Sequence, residues 1–418
     1  MIQLAASRHE TELFRVLAHA SGRRALWPTD RALPLGWHEV LSGRPKEHCL
    51  EYLRQEWTGL NGRVKQARRS RIDFGLMFFG SGEHDAAGDK YRCVIDCAKY
   101  ADAHGLSAVW LPERHFSAMG CLHPNPAVLH AALARETSRI RLRAGSVVLP
   151  LHHPMRVAED WAVVDNLSNG RVDLAFASGW NPEDFALRPE AYRARHAEMF
   201  AAVETVRRLW RGETVATTSG DGSSIAVRVY PTPIQPELPL WITAAESAAT
   251  FEQAGAIGAN LLTHLFDLSV DELAGRIALY RDARRRAGFD PEEGRVAVAL
   301  HTFIADDIET VRLHSKAPYC RYLKSNVRLI EKFAASRGLS FDVASLSEAQ
   351  LDEAVDFLFE KFLHGRSLLG TPDSCTELVG QLVEKGVNEI ACLLDFGPTA
   401  EAILGGLPSL RALMERFR

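Results

Sequence analysis

Three apolar runs lie between Ala108 and Trp180: AVWLPE, IRLRAGSVVLP and VDLAFASGW. Stretches with helical periodicity, Pro126–Ser138 and Met155–Leu167, separate them. A continuous apolar run followed by a crossover helix is the pattern of a parallel strand buried on both faces. The alternation extends along the chain and predicts eight strands: Ile72–Phe79, Ala108–Glu113, Ile140–Pro150, Arg171–Trp180, Leu238–Glu246, Ala259–Leu265, Arg295–Ala305 and Glu389–Gly397. Helical stretches such as Lys90–Ala103, Ala194–Arg211 and Thr376–Glu384 intervene. Eight βα units predict an α/β fold closed into a (β/α)8 barrel. The alternative, an open doubly wound sheet, calls for a glycine-rich loop after its first strand. GSGEHDAAG at Gly80–Gly88 is too loose a match to that fingerprint.

Two segments are longer than ordinary loops. Ser178–Arg193 follows the fourth strand, and 306–366, between the seventh and eighth, carries helical patterns of its own. Insertions on a barrel's carboxyl rim build lids or substrate walls; a helical pad between subunits is the competing reading. Residues 1–60 follow a different pattern. Thr11–Ala18 and His38–Leu41 predict short strands, and Cys49–Trp57 an amphipathic helix. Trp27-Pro28 and Gly36-Trp37 belong either to a mini-core or to a rigid docking cleft. The predicted organisation is a small α+β domain at 1–60, a basic linker at 61–71, and the barrel at 72–418.

Composition narrows the function classes. The 418 residues are 46% apolar and 24% charged, with a net charge of −4, which gives no electrostatic reason to expect nucleic acid or an acidic membrane. No apolar run approaches the ~20 residues of a membrane span. The opening MIQLAASRHE lacks the basic start and apolar core of a secretory signal. Seven scattered cysteines suit reduced thiols, so the expected location is the cytoplasm. Cys93 and Cys97 share a helix face without completing a zinc set, and His152-His153-Pro154 reads as a rim turn; no metal is expected.

Candidate chemistry sits at the strand ends. Glu113, Arg114 and His115 close one predicted strand, as an acid–base pair with a cation or as a rim salt bridge with a hydrogen-bonded His. Gly145-Ser146 falls mid-strand, where Gly permits close approach or marks a bulge. In AAESAATFEQAG a strand ends at Glu246 and Ser247 is placed to cap a helix, with Thr250 on the same turn. Such a helix start suits a phosphate, or is an ordinary cap without a ligand.

Together, WLPERHF at Trp110–Phe116, the segment NPAVLHAALARETSRIRLRAGSVVLPLHHPMRVAEDWAVVDNLSNGRVDLAFASGW and AESAATFEQAGAIGAN resemble the bacterial luciferase-like flavin monooxygenases. The similarity runs from about Ile72 to the carboxyl terminus and is weakest over 306–366. It points to the branch found beside polyketide and nonribosomal peptide synthetases. ALWPTDRALPLGWHEVLSGRPKEHCLEYLRQEWT independently resembles MbtH-like proteins, the small partners of adenylation domains in nonribosomal peptide synthetases. That second resemblance implies a docking role for Trp27, Pro28 and Trp37, whose cleft would receive a small residue of an adenylation domain. Ala25 and Gly59 depart from the MbtH-like pattern.

The first resemblance implies a TIM barrel that takes reduced FMN from a separate flavin reductase and reacts it with O2. It implies phosphate contacts from Glu246, Ser247 and Thr250, a cis peptide at Gly145-Ser146 under the flavin ring, and flavin contacts from Ser178 and Gly179. Luciferase itself has Arg at the Ser178 position, and two consecutive His residues where this chain has Arg114-His115. The implied activity is oxygenation, by way of a flavin C4a-hydroperoxide, of an aminoacyl or acyl group on a carrier protein. Catalytic candidates are His115 for proton transfer, Arg114 for charge stabilisation, and Glu113. The family also implies a homodimer. Two alternatives stand beside this: a docking accessory with a non-catalytic barrel, and a barrel that uses a deazaflavin.

Overall fold

A computed structural model describes residues 13–19, 24–34, 36–53, 71–79, 89–117, 120–245, 247–266, 268–324 and 346–418. The chain divides into two compact units, Met1–Ser70 and Arg71–Arg418. Most of the predicted linker, 61–70, and the Gly80–Gly88 segment lie outside the described residues.

The amino-terminal unit is an antiparallel sheet of β1 (Leu13–His19), β2 (Arg24–Pro28) and β3 (Trp37–Pro45), in the order β2-β1-β3. A helix, α1, follows at residues 46–53. Val16, Leu17 and Ala18 of the central strand are buried, and Cys49 of α1 packs with its Sγ 3.5 Å from the Phe14 carbonyl. The two predicted strands are present. The sequence pattern missed β2 because it ends in Trp27-Pro28; as an edge strand it tolerates a proline at its last position.

The second unit is the predicted barrel. Its strands are β4 (Asp73–Met77), β5 (Ala108–Leu111), β6 (Arg141–Val148) and β7 (Val172–Ala177). A small hairpin, β8 (Val215–Thr218) and β9 (Ser224–Val227), precedes β10 (Leu240–Thr243), β11 (Asn260–His264) and β12 (Val296–Ile304). A short β13 (Leu368–Gly370) comes before β14 (Glu389–Leu393). The parallel order β4-β5-β6-β7-β10-β11-β12-β14 closes through β14–β4, so the eight predicted strands are the eight staves. Their ends are shorter than predicted, since rim residues point into loops instead of pairing. Strand β12 forks: Ala297–His301 pair with β14, and Thr302–Ile304 pair with β13.

The outer helices are α2 (Arg92–His104), α3 (Pro126–Glu136), α4 (Pro154–Ser168), α5 (Arg195–Trp210), α6 (Ala248–Ala256) and α7 (Val270–Arg286). The insertion supplies α8 (Ile308–Lys324) and α9 (Glu348–Leu363), and α10 (Pro372–Glu384) and α11 (Ala400–Glu415) complete the ring. Local sequence sets their starts. Asn125 Oδ1 accepts from the Ala127 and Val128 amides ahead of Pro126, and Ser269 with Glu272 forms a capping box on α7. Among the described residues no helix is long and apolar enough to cross a membrane.

The barrel interior combines small apolar residues with an ion network. Arg143 lies between two indoles, its Cζ 4.8 Å from the ring centres of both Trp110 and Trp241. Its Nη1 donates to both Glu389 oxygens at 2.7 and 2.6 Å, and its Nε donates to Asp173 at 2.5 Å. Trp110 Nε1 donates to Glu389 at 3.0 Å. Burial opposes the charge on Arg143, but the two carboxylates outweigh it and push its pKa up. Glu389 is fully buried. Removing one partner of such a group leaves uncompensated buried charge at about 3–5 kcal/mol. Arg143→Met is therefore expected to lower stability by about that amount, with Arg143→Met/Glu389→Leu recovering part of it, read from urea unfolding midpoints.

Candidate active site

A cavity of ≈ 510 Å3 opens at the carboxyl ends of the strands. Gly145 and Ser146 of β6 form part of its wall. The Gly145–Ser146 bond is cis, and the β6–β7 register shifts between Gly145 and Val147. A Cβ on Gly145 would stand 3.0 Å from Trp110 Cε3, so the floor presses directly against this strand. Ser146 Oγ lies 2.5 Å from Thr243 Oγ1, which ties β6 to β10 across the intervening β7. Ser178 and Gly179 follow β7 and line the same cavity. Gly179 has φ +81°, and a Cβ there would meet Phe185 at 2.7 Å and Val148 at 2.8 Å; only glycine fits.

At one end the cavity meets the start of α6. Ser247 occupies its N-cap, as predicted, but its side chain makes no capping hydrogen bond. Ser247 and the buried Thr250 both line the cavity beside the first-turn amides. Thr263 Oγ1, from β11, is buried in the lining with no partner among the described residues. Glu246 lies outside the described residues.

Glu113, Arg114 and His115 diverge after β5. Glu113 is buried and accepts from Val148 N at 2.7 Å, His115 Nε2 at 2.9 Å and His152 Nε2 at 2.5 Å. Burial works against its ionisation, but the bonds from His115, His152 and Val148 prevail and hold the carboxyl below its ordinary range. His152 is raised in turn, Glu113 overcoming the burial that would lower it. Arg114 turns into the cavity and is buried, its Cζ 4.9 Å from the centre of a ring of Trp180. His115 is absent from the lining; its ring stays on Glu113 at the rim.

Residues 72–389 match the family model of luciferase-like monooxygenase, and residues 5–69 that of MbtH-like protein. The chain belongs to the luciferase-like monooxygenase family. It is 27% identical over 330 residues to the oxygenase component of flavin-dependent trigonelline monooxygenase from Acinetobacter baylyi, covering 74% of this chain and 85% of that one. It is 31% identical over 255 residues to 4-hydroxyprotoasukamycin monooxygenase from Streptomyces nodosus subsp. asukaensis, covering 57% and 66%. Among solved structures it resembles the oxygenating constituent of 3,6-diketocamphane monooxygenase from Pseudomonas putida, solved with FMN. That likeness has a TM-score of 0.64 at 20% identity over 82% of this chain and 98% of that one, and it bears on the fold.

The luciferase-like barrel draws its remaining wall from the insertion. Tyr322 of α8, Phe362 of α9 and the following Arg366 reach the cavity opposite the glycine wall. His301 stands where β12 forks, edge-on to Tyr319, Tyr322, Phe362 and Phe396. Burial, with His264 nearby, pushes His301 down to about 3, so it is neutral, and its Nε2 has no partner among the described residues. Burial and Asp395 raise Tyr322, although Arg114 pulls the other way. Sequence reasoning missed His301, Tyr322, Thr263 and His152. A histidine inside the apolar run VALHTFI was the one available signal for His301.

In the MbtH-like unit Trp27 lies opposite Arg15 and Trp37 opposite His19 along β1. Residues 15 and 19 share a strand face, so both indoles stand on one side of the sheet, flanking its centre. Both are half-buried, as is Pro28, and Trp27 Nε1 donates to the Ala32 carbonyl at 3.2 Å.

The Glu113–His152 pair makes stability depend on pH from both sides. Glu113 is lowered from 4.5, so its contribution is present above 4.5 and fades as pH falls through the lowered value. His152 is raised from 6.5, so its contribution is full below 6.5 and fades as pH rises through the raised value. The difference in thermal midpoint between wild type and Glu113→Gln should peak between these limits. An NMR titration should show the His152 pKa falling in the variant.

Proposed function

We propose that this chain is the oxygenase component of a two-component system. It takes reduced FMN from a separate reductase, uses O2, and hydroxylates an aminoacyl or acyl group held on a carrier protein of a nonribosomal peptide or polyketide assembly line. The single observation that carries this reading is the joining, in one chain, of an MbtH-like unit to a luciferase-like barrel with an open cofactor cradle.

The residues present fit flavin mononucleotide. A phosphate suits the free amides at the start of α6 with the Ser247 and Thr250 hydroxyls, because a helix N-terminus combines unpaired donors with the positive dipole end. A planar ring suits the wall of Gly145–Ser146, Ser178 and Gly179, which packs tightly on Trp110 behind Gly145. When bound, the reduced flavin supplies the electrons that activate O2. The protein's part is then to hold, orient and keep dry. The apolar lining excludes water, which suppresses wasteful release of the activated oxygen. Arg114, in the lining, is the candidate for stabilising negative charge, and His115 with Glu113 and His152 is the candidate rim relay for holding a proton.

The MbtH-like unit would bring the barrel to an adenylation domain, with Trp27, Pro28 and Trp37 as the docking surface. Aromatic anchors of this kind carry most of the energy of an interface. Trp37→Ala should abolish copurification with the cognate adenylation domain and leave flavin binding unchanged.

The first test is spectroscopic. Protein mixed anaerobically with reduced FMN and then with oxygenated buffer should show flavin reoxidation slower than that of free FMN. Carrier-bound substrate should then gain one oxygen atom by mass spectrometry. Oxidation identical to free FMN together with no measurable flavin binding would overturn the reading. Hydrogen bonds to a charged group contribute about 1.5–3 kcal/mol, so Ser247→Ala/Thr250→Val should weaken FMN binding by at least roughly tenfold in a fluorescence titration.

A further inference from the structure

The cavity holds a buried cation whose N–H groups are only partly matched among the described residues. Arg114 is only 4% exposed, yet its Nε and Nη1 have no hydrogen-bond partner among the described residues. Its nearest acid, Asp184, stands 4.0 Å from Nε, beyond hydrogen-bond distance, and Asp184 Oδ1 accepts from Asn181 Nδ2 at 3.0 Å. Glu113, the other acid of the lining among the described residues, is committed to Val148, His115 and His152.

The side chain is held rather than mobile. Gly120 has φ +77°, and a Cβ there would lie 2.5 Å from Arg114 Cγ, so the aliphatic stem is clamped. The head faces Trp180 at 4.9 Å and Phe79 at 5.7 Å. A guanidinium presents only donors, and leaving them unpaired in a buried site is costly. Aromatic faces satisfy part of its charge but accept none of its N–H groups in the plane of the guanidinium. What Nε and Nη1 lack among the described residues is an oxygen acceptor within hydrogen-bond distance, and an anionic one suits them best. Around that position Phe79, Trp180, Tyr322 and Phe362 offer an aromatic wall, and His301 lines the same cavity.

We infer that Arg114 is a specificity-determining residue that binds a free carboxylate on the substrate, so the substrate class is an acid with an apolar or aromatic body. This rests on the proposed reading of the cavity as a flavin and substrate site. When the acyl end is tethered to a carrier as a thioester, the carboxylate belongs to the side chain of the bound group.

The test uses the full chain saturated with FMN, so that a failure to bind FMN is seen first and counts against the functional reading alone. Phenylacetate and phenylacetamide, which match in shape and differ in charge, are titrated calorimetrically as probes. Phenylacetate should bind at least tenfold more tightly. Arg114→Met should erase that preference while leaving the FMN Kd within about twofold, and Arg114→Lys should keep part of it. Equal binding of acid and amide, or binding of neither, overturns the inference. So does an Arg114→Met variant that loses FMN affinity but keeps the preference, because Arg114 would then serve the cofactor. If Arg114→Met does not fold, the wild-type comparison of acid with amide decides alone.

Discussion

The ion pair of Arg143 with Glu389 and Asp173 is the constraint on which the active cavity rests. A charged group inside a barrel is tolerated only when its partners sit in the same enclosure. Here those partners come from β7 and β14 while Arg143 itself is on β6, so the charge stitches three staves together. The same arginine is sandwiched by Trp110 and Trp241, and Trp110 is pinned further by its bond to Glu389. Because Trp110 supports Gly145, the floor sets the height of the glycine wall above it. Electrostatics at the bottom of the barrel thus reach the cavity through one indole.

The rim solves a separate problem. Three consecutive residues after β5 must face three environments, and the chain turns sharply enough to do so. Glu113 goes inward to the backbone of Val148 and gathers two histidines, Arg114 enters the cavity, and His115 stays at the rim. A carboxylate shared by two imidazoles and an amide is well solvated without water, which lets it remain charged while buried. The same arrangement fixes His152 at the start of α4, whose N-cap is the adjacent His153.

Much of this was legible in the amino-acid sequence, for physical reasons. Parallel strands buried on both faces must be apolar throughout, so all eight staves stood out. Strand β13 is three residues long, and the β8–β9 hairpin consists of two largely exposed four-residue strands, so neither carried a pattern. Gly145-Ser146 and Ser247 were visible because glycine inside a strand and serine after one are locally unusual. The floor was not seen, although Arg141 and Arg143 alternate within a run that otherwise reads as buried. Their acids, Asp173 and Glu389, lie on other strands, and no local rule pairs them. Tyr322 and Phe362 were hidden for the same reason: helical periodicity shows that a face is buried, not what it faces.

The fork in β12 has a consequence for how such a protein can change. Above His301 the strand leaves β14 for β13, and the space between is filled by aromatic side chains of the insertion. The cradle proposed for the cofactor draws on residues between Gly145 and Thr263, whereas His301, Tyr322, Phe362 and Arg366 join Phe79, Arg114 and Trp180 in the rest of the lining from a later stretch. Part of what faces the proposed cradle is therefore written in a separate stretch of the chain. Exchanging the later stretch would reshape that part of the lining while leaving Arg114 and the proposed cradle in place.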